Sequence, residues 1–201
     1  KGAELSGARL VFVSSGGAIY GEADGATEAS RPAPISPYGR SKLAAERVVG
    51  ESGLSYGIAR LSNVYGPRQR SDQEGGVVAI FVTRLLAGAP VEVHGTGSQR
   101  RDFVYIDDVT SALLAIGTAQ LDGMWNVGSG NATTILELLE LVGAATGSAA
   151  DIHIAPRRLG DIEVSRLSID RIKSDLGWLP RTDLPTGLAR TVAAFRGTSS
   201  K

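Results

Sequence analysis

The chain has 201 residues, of which 42% are hydrophobic, so it can form one large domain or two small ones around a sizeable core. Its 21 Lys and Arg residues balance its 21 Asp and Glu residues, so its charge favours neither nucleic acid nor an anionic membrane, and local arginines must meet any anionic ligand. The absence of cysteine excludes a disulfide scaffold, a Cys-ligated zinc ion and a thiol nucleophile, and it is typical of the reducing cytoplasm.

Strand-like and helix-like segments alternate through the first third of the chain. The run "RLVFVS" (residues 9–14) is almost entirely apolar, as is typical of a strand buried on both faces of a parallel sheet. A helix is predicted over 36–52, because Ser36 can cap it and Pro37 suits its first position. Residues 55–66 are predicted to form the next strand. Together these elements make a β-α-β unit.

The rest of the chain continues the alternation with shorter strands. Gly75 and Gly76 precede a second helix, and Thr134 with Glu137 forms a capping box that opens a later one. The other predicted elements are strands at 91–95, 102–106, 124–130 and 151–156, and helices at about 109–116, 168–177 and 184–195. The pattern predicts an α/β fold with a parallel sheet in its first part and a looser, mixed second part.

Tyr38 and Lys42 are the first candidate catalytic residues. They are four positions apart in the predicted helix, so they lie on nearly the same face, one turn apart. An ammonium held close to a phenol favours the phenolate, which can act as a general base. The pair lies near the start of its helix, and the preceding strand ends in Ser14 and Ser15. Because open α/β sheets bind ligands at strand ends, this placement favours a catalytic pair over a chance match.

Six motifs carry a resemblance that covers nearly the whole chain. In chain order they are "SSGGAIYGE", "SPYGRSKLAAE", "ARLSNVYGPRQ", "GTGSQRRDFVYIDDV", "WNVGSG" and "RRLGD". In this order and at these separations they resemble the extended short-chain dehydrogenase/reductases of the NAD-dependent epimerase/dehydratase family, most closely the UDP-glucose 4-epimerase-like nucleotide-sugar epimerases. Each motif alone is a weak signal, whereas six in order are specific.

The resemblance implies catalytic and cofactor-binding roles at two strand ends and one helix. Tyr38 would be the acid and base at the sugar 4-hydroxyl, Lys42 would hold the nicotinamide ribose, and Ser15 would hydrogen-bond the same sugar oxygen. Ser14 and Leu61 would lie beside the NAD cofactor, together with Tyr38 and Lys42. The cofactor would perform the redox chemistry while the protein manages one proton.

The resemblance also implies a substrate-binding set. Asn63 and Ser15 would contact the substrate, Arg101 and Arg158 would bind the UDP diphosphate, and Asp161 would contact the nucleotide ribose. Arginine suits this role because its planar guanidinium matches phosphate oxygens. The first arginine of each "RR" pair is expected to be a surface residue. No metal site is expected, since the chain holds only two histidines and no cysteine.

The glycine-rich loop that binds a dinucleotide is absent from the sequence. "GTGSQR" and "GSGNAT" each lack the third glycine, and the capping box explains the second motif. In the family this loop lies at the amino end, and the chain opens on Lys1 close to its first strand, so we expect a fragment. We expect the carboxyl-terminal portion of a Rossmann-type doubly wound parallel sheet plus a smaller mixed α/β lobe. Residues 1–71 are assigned to the second half of the NAD-binding Rossmann domain and 72–201 to the substrate-binding lobe, with about 102–130 returning to the Rossmann domain.

Gly16 and Gly17 bear on which reaction of the family is expected. In the family that the chain resembles, 4,6-dehydratases carry an Asp-Glu pair directly after the catalytic threonine. Decarboxylases usually carry a glutamate at this place, and epimerase-reductases use a cysteine and a histidine. With glycines after Ser15 and no cysteine, elimination favours UDP-hexose 4-epimerisation through a transient 4-keto intermediate. Two alternatives stay open: another nucleotide-sugar dehydratase or reductase of the family, and a non-catalytic remnant that binds a nucleotide sugar or a partner.

The expected partners are a nucleotide-sugar substrate, UDP-linked as in the relatives, and a second copy of the chain. Family members are commonly homodimers through a helical bundle that includes the helix of Tyr38, and Leu43, Val48 and Val49 could supply part of such a face. We expect no nucleic acid as a partner, because the positive and negative charges balance. We expect no membrane as a partner, because no apolar run reaches the roughly 18 residues of a span.

The stretch "VFVSSGGAIYG" leaves the position of the catalytic hydroxyl open. In many relatives this hydroxyl stands four residues before the tyrosine of the "YG" pair, which is Tyr20 here. The position four residues before Tyr20 is Gly16, which has no hydroxyl. A glycine turn one residue longer than usual would place Ser15 at the expected point instead. We therefore predict that Ser15 reaches the sugar, that Ser14 points to the opposite face of the sheet, and that the glycines make room for substrate.

Overall fold

A computed structural model describes residues 6–72, 76–157 and 160–198 of the chain. The helices are α1 (Gly16–Ile19), α2 (Pro37–Gly50), α3 (Val77–Leu86), α4 (Ile106–Thr118), α5 (Ile135–Thr146), α6 (Asp170–Leu176) and α7 (Leu184–Thr198). The strands are β1 (Leu10–Ser15), β2 (Ala23–Ala26), β3 (Tyr56–Leu61), β4 (Asn63–Tyr65), β5 (Val91–His94), β6 (Arg100–Arg101), β7 (Phe103–Tyr105), β8 (Gly123–Val127), β9 (Thr133–Thr134), β10 (Ile152–Ala155) and β11 (Val164–Leu167). Every predicted helix is present, with its ends shifted by a few residues.

The central sheet is parallel and has the strand order β1-β3-β8. Its register pairs Ser15 with Leu61 and Leu61 with Val127, so the carboxyl ends of all three strands meet at one edge. Residues 57–60 of the middle strand are buried without interruption, as expected of a parallel strand covered on both faces. The mixed α/β fold with a Rossmann-like parallel sheet confirms the predicted fold class.

Helices α2 and α4 cover opposite faces of this sheet. Ser14 contacts Glu46 of α2, whereas Val11, on the other face of β1 by strand alternation, lies beside Gly117 of α4. The close approach of α4 requires a glycine in β3, because a Cβ at Gly57 would lie only 2.3 Å from Cγ2 of Ile116. The sheet is thus doubly wound in the part that the structure describes.

The predicted strand 55–66 is in fact two strands that belong to different sheets. The break is at Ser62, whose backbone N–H donates to Val127 O at 2.9 Å and so still follows the central sheet. The next residue, Asn63, donates its backbone N–H to Asp102 O at 2.9 Å, and β4 then pairs with β7 in parallel. This crossing carries the chain from the end of the central sheet into the rest of the molecule.

The remaining strands form two further small sheets, one of order β10-β5 and one of order β2-β11-β6-β9. Strands β2 and β11 were not predicted, because "ADGA" has low strand propensity and "VSRL" is short and half polar. A hydrophobic core separate from that of the central sheet lies among α3, α5 and α7. Its large buried side chains include Phe81, Leu138 and Leu188. The domain division at residue 71 stays a prediction.

The predicted helix caps are confirmed at α2 and α5. The Ser36 hydroxyl accepts a hydrogen bond from the backbone N–H of Gly39 at 3.0 Å, and Pro37 occupies the first helical position. Thr134 and Glu137 form the reciprocal capping box at the start of α5. These local signals fix where each helix begins.

On the outer face of α2, Val48 is 68% exposed, whereas Val49 is buried within the chain itself. The homodimer predicted through this helix stays a prediction. Within the described ranges, the longest and most apolar helices are still too short or too polar to cross a bilayer.

Asp122 joins the amino ends of the three central strands. Its Oδ1 atom accepts hydrogen bonds from the backbone N–H of Tyr56 at 2.9 Å, from the Ser55 hydroxyl at 2.9 Å and from the Arg9 guanidinium at 2.7 Å. The bond from the Tyr56 N–H, followed by those from Ser55 and Arg9, lowers the pKa of Asp122 below its ordinary value of 3.8. Because the lowered pKa means that folding favours the ionised form, the resulting stability is present above the unfolded pKa and is lost as the pH falls through the folded pKa.

We expect Asp122→Asn to destabilise the protein at neutral pH and to do so less at acidic pH. The measurement is the free energy of unfolding in urea from pH 7 down to about pH 2, a range that passes through the pKa of a free carboxyl and continues below it. Asp107→Asn is the matched control, since its side chain is 70% exposed and its carboxylate lies 4.0 Å from the guanidinium of Arg190, which keeps its charge over the whole range. A gap between wild type and Asp122→Asn that stays constant over this pH range would contradict the prediction.

Candidate functional site

The first group of predicted site residues gathers at the carboxyl edge of the central sheet. Ser15 is the last residue of β1 and the residue before α1, and its side chain makes no capping hydrogen bond to that helix. Leu61 lies opposite Ser15 in the register of β3. The hydroxyl of Ser15 is therefore at the edge where open parallel sheets bind ligands.

The glycines after Ser15 do not form the flexible turn that the sequence predicts. Gly16 and Gly17 begin the short helix α1, and Gly16 is buried. A Cβ at Gly16 would lie 2.7 Å from Cδ1 of Leu167, and one at Gly17 would lie 3.2 Å from Oγ of Ser165. The prediction that these glycines make room for substrate was wrong in this respect, because the space beside them is filled by strand β11.

Tyr38 and Lys42 lie in the first two turns of α2, one turn apart as their spacing predicts. The Lys42 ammonium is 5.7 Å from the centre of the Tyr38 ring and donates a hydrogen bond to Val13 O in β1 at 3.0 Å. The Tyr38 side chain is 55% exposed, so a ligand at this edge can reach it. The arrangement places a cation, a phenol and the end of β1 together.

The first turn of α2 is brought close to the segment that follows Ser15. Gly39, next to Tyr38, packs so tightly on α1 that a Cβ there would lie 2.3 Å from the carbonyl oxygen of Ala18. The meeting of Ser15 and Tyr38 at one sugar oxygen nevertheless stays a prediction. Ser15 and its neighbour point to opposite faces of β1, and it is Ser14 that contacts α2.

Ser14, predicted to lie beside the cofactor, is buried and bonded within the protein. Its hydroxyl donates to Oε1 of Glu46 at 2.6 Å, and its side chain is 3% exposed. Any contact that Ser14 makes with a cofactor would therefore be through its backbone. Among the described residues of the predicted set, Ser14 is the one whose side chain is used in a buried hydrogen bond within the protein.

The second group of predicted residues lines a cavity of about 1110 Å³ on the other side of the crossing between β3 and β4. Asn63, Arg101 and Asp161 all contribute to its wall, although they come from separate segments of the chain. His94 and His153, to which the sequence analysis gave no role, line the same cavity. Arg158 lies outside the described residues, so its place relative to this group is left as predicted.

Arg101 is held in the cavity wall by Asp161. Its Nη2 donates to Asp161 Oδ1 at 2.5 Å, and its Nη1 donates to the carbonyl oxygen of Arg100 at 2.9 Å. Burial lowers the pKa of Arg101, an effect that the neighbouring Asp161 carboxylate opposes. The pair holds the guanidinium in a fixed orientation, and an anion that enters the cavity would compete with Asp161 for it.

Asp102 is a buried carboxylate that the sequence analysis missed. It is fully buried, and its oxygens accept hydrogen bonds from the backbone N–H groups of Ser129 (2.7 Å), Gly130 (3.3 Å) and Leu167 (3.4 Å). The Ser129 hydroxyl adds a further bond at 2.7 Å. Burial raises the pKa of Asp102, against the effect of these donors. Since its backbone carbonyl also accepts the N–H of Asn63, this residue joins the loop after β8 and strand β11 to Asn63 in the wall of the cavity.

A second buried network, also missed, connects α2 with the central sheet. Glu46 pairs with Arg60 of β3, and the two side chains are 4% and 3% exposed. Arg60 Nη1 also donates to the Tyr20 hydroxyl at 2.7 Å, which in turn donates to Asn126 Oδ1 at 2.9 Å. Burial raises the pKa of Tyr20, which keeps this phenol protonated and able to donate.

Comparison with known proteins agrees with this fold. A family model described as "NAD dependent epimerase/dehydratase family" matches residues 2–128. The UDP-glucose 4-epimerase of Mycolicibacterium smegmatis is 40% identical over 205 residues, an alignment that covers 98% of this chain and 66% of that protein.

Two solved structures are similar over nearly the whole chain. The UDP-glucose 4-epimerase of Thermotoga maritima, solved with UDP-glucose, is 41% identical with a TM-score of 0.90, covering 95% of this chain and 64% of that one. The UDP-glucose 4-epimerase of Thermus thermophilus, solved with NAD, is 43% identical with a TM-score of 0.87, covering 94% of this chain and 64% of that one. The chain thus spans slightly less than two thirds of the length of these relatives.

Proposed function

The chain belongs to the NAD-dependent epimerase/dehydratase family, and we propose that the full-length polypeptide is a nucleotide-sugar epimerase that interconverts UDP-hexoses at C4. The observation that carries the proposal is the placement of Tyr38 and Lys42 beside the end of β1, at the carboxyl edge of a parallel sheet. Similarity to two UDP-glucose 4-epimerases of known structure supports the same substrate class.

The residues directly after Ser15 favour simple epimerisation over dehydration. Removal of water from the sugar requires an additional acid and base near the catalytic hydroxyl. Gly16, Gly17 and Ala18 occupy these positions here, so this segment supplies no ionisable side chain for an elimination. Epimerisation needs only one proton to leave and return, which a single phenol can accomplish.

The residues at the sheet edge fit the nicotinamide half of NAD. The Lys42 ammonium has three N–H donors, of which one is used by Val13 O, so it can also bond the hydroxyls of a ribose. Leu61, at the end of the middle strand, offers an apolar contact for a nicotinamide ring placed above the sheet. NAD, when bound, would accept hydride from C4 of the sugar and return it to the other face.

Tyr38 is the residue to which we assign the proton transfer. Its phenolate would remove the proton of the 4-hydroxyl and later return it, and the Lys42 ammonium lies 5.7 Å from the centre of its ring. Ser15, on the same sheet edge, would hydrogen-bond this oxygen and hold it in place. The 55% exposure of Tyr38 fits a group that completes its surroundings only when substrate is bound.

The cavity beyond β4 is proposed to bind the nucleotide diphosphate. Arg101 and Asn63 supply a cation and an amide in its wall, and Asp161 would accept from a ribose hydroxyl once Arg101 turns to a phosphate. Arg158 is proposed as a second arginine for the diphosphate. A protein with no net charge needs such local cations to bind a dianion.

The test is an assay of the full-length polypeptide with NAD and UDP-galactose, in which the product is measured with a UDP-glucose-specific dehydrogenase. We expect UDP-glucose to form, and before the coupling dehydrogenase is added we expect no net reduction of NAD. Parallel reactions with dTDP-glucose and UDP-glucuronate would reveal a 4-keto-6-deoxy sugar or released carbon dioxide. Either product in place of UDP-glucose would overturn 4-epimerisation in favour of a dehydratase or decarboxylase, and a lack of any product would favour the non-catalytic alternative.

A further inference from the structure

We propose that Glu46 is a positioning residue that fixes helix α2, and with it Tyr38 and Lys42, against the end of β1. The inference rests on the proposed function, because it takes Tyr38 and Lys42 as the reacting pair. Tyr38, Lys42 and Glu46 are spaced four residues apart, so they form one stripe along α2. The stripe faces β1, as the contacts of its second and third members show.

Two hydrogen bonds from this stripe end on consecutive residues of β1. Lys42 Nζ donates to Val13 O at 3.0 Å, and the hydroxyl of Ser14 donates to Glu46 Oε1 at 2.6 Å. The next residue along the strand is Ser15. Because the two bonds join successive turns of α2 to successive residues of β1, they fix both the rotation of the helix and its position along the strand. A shift of α2 in either direction would break at least one of them.

Glu46 is itself held by the neighbouring strand. Arg60 donates from Nε to Glu46 Oε1 at 2.9 Å and from Nη2 to Oε2 at 2.5 Å, a two-point contact with little rotational freedom. Arg60 lies directly opposite Ser14 in the register between β1 and β3. One carboxylate therefore accepts from two of the three strands whose carboxyl ends form the sheet edge.

Stability alone is a poor explanation for this ion pair. Desolvation of two buried charges offsets much of their attraction, and well-packed apolar residues in the same place are often at least as stable. Apolar residues would not supply a directional link between one point on α2 and two named points on the sheet. The geometry thus points to positioning, which matters because a misplacement of about 1 Å can lower a rate by about a hundredfold.

The test uses Glu46→Gln in the full-length polypeptide. Glutamine keeps the size of the side chain but replaces one acceptor by a donor, so either Ser14 or Arg60 loses its acceptor. We expect kcat to fall between about tenfold and a hundredfold. We expect KM for the nucleotide sugar to stay within about twofold, since the residues proposed for the diphosphate lie in a separate cavity.

A crystal structure of the variant gives a readout that does not depend on activity. We expect the Lys42 Nζ to Val13 O distance to increase beyond about 3.5 Å, the limit of a hydrogen bond. Glu51→Gln is the control, because Glu51 is an exposed acid directly after α2 and should leave kcat and this distance unchanged. If Glu46→Gln does not fold, the double variant Glu46→Gln/Arg60→Gln, which leaves no buried charge unpaired, gives the same two readouts.

The outcomes separate this inference from the proposed function. An active wild type together with a variant of undiminished kcat would overturn the inference and leave the proposed function standing. An inactive wild type would overturn the proposed function, and the Lys42 to Val13 distance in the variant would then decide the positioning role by itself: a retained bond refutes it and a lost bond supports it.

Discussion

Tyr38→Phe is expected to lower kcat for UDP-hexose 4-epimerisation by between about a hundredfold and ten-thousandfold, the range typical of a lost general acid and base. The substitution removes only the hydroxyl, on a side chain that is 55% exposed at the start of α2, so the fold should be unaffected. The Lys42 bond to Val13 O does not involve the phenol and should persist, which leaves the proposed ribose contact in place.

The measurement is steady-state kinetics of the full-length polypeptide, with NAD affinity determined separately by titration. Affinity for NAD should change by no more than about threefold, since Lys42 is retained. Tyr56→Phe is the matched control, because it deletes the same hydroxyl at the amino end of β3, the end of the sheet opposite the proposed site. Equal turnover by Tyr38→Phe and Tyr56→Phe would refute the role assigned to Tyr38.

Local signals predicted most of the secondary structure because each signal depends only on residues that are close together in the sequence. Ser36 and Pro37 mark the start of α2, and Thr134 with Glu137 marks the start of α5, since a cap needs only residues within one turn. The buried strand at residues 10–15 was recognisable for the same reason, as a continuous apolar run.

Pairing between distant segments was not predictable in this way. The break of the strand at Ser62 depends on an acceptor in β8 and, one residue later, on an acceptor at Asp102. The packing of Leu167, about 150 positions away in the chain, on Gly16 at the start of α1 is a second contact of this kind. No pattern within "SSGGAIYG" carries that information.

The candidate site was predictable where its residues occur in recognisable motifs. Tyr38 and Lys42 were found by helical spacing, and Arg101 by the motif that surrounds it. Glu46 and Asp102 were missed because the residue type alone does not distinguish an acid that folding will bury from one that it leaves exposed. The position of Glu46, one turn beyond Lys42 on the same stripe, was the one available signal.

Asp102→Ala is expected to destabilise the protein by about 3 to 5 kcal/mol, the largest effect on stability that we predict. The substitution leaves the buried backbone N–H of Leu167 and the partly buried N–H groups of Ser129 and Gly130 without their acceptor, each at a cost of up to about 1 to 3 kcal/mol. Their sum is partly offset, because the variant no longer buries a carboxylate whose pKa is raised by desolvation.

The free energy of unfolding in urea, measured at pH 7, tests this value. Asp107→Ala is the matched control, because its side chain is 70% exposed and should change the stability by no more than about 0.5 kcal/mol. Asp102→Asn should fall between the two, since an amide keeps one acceptor but turns a donor toward the loop N–H groups. Similar stabilities for Asp102→Ala and Asp107→Ala would show that water replaces the carboxylate, and that Asp102 does not hold the loops beside Asn63 and Arg101 in place.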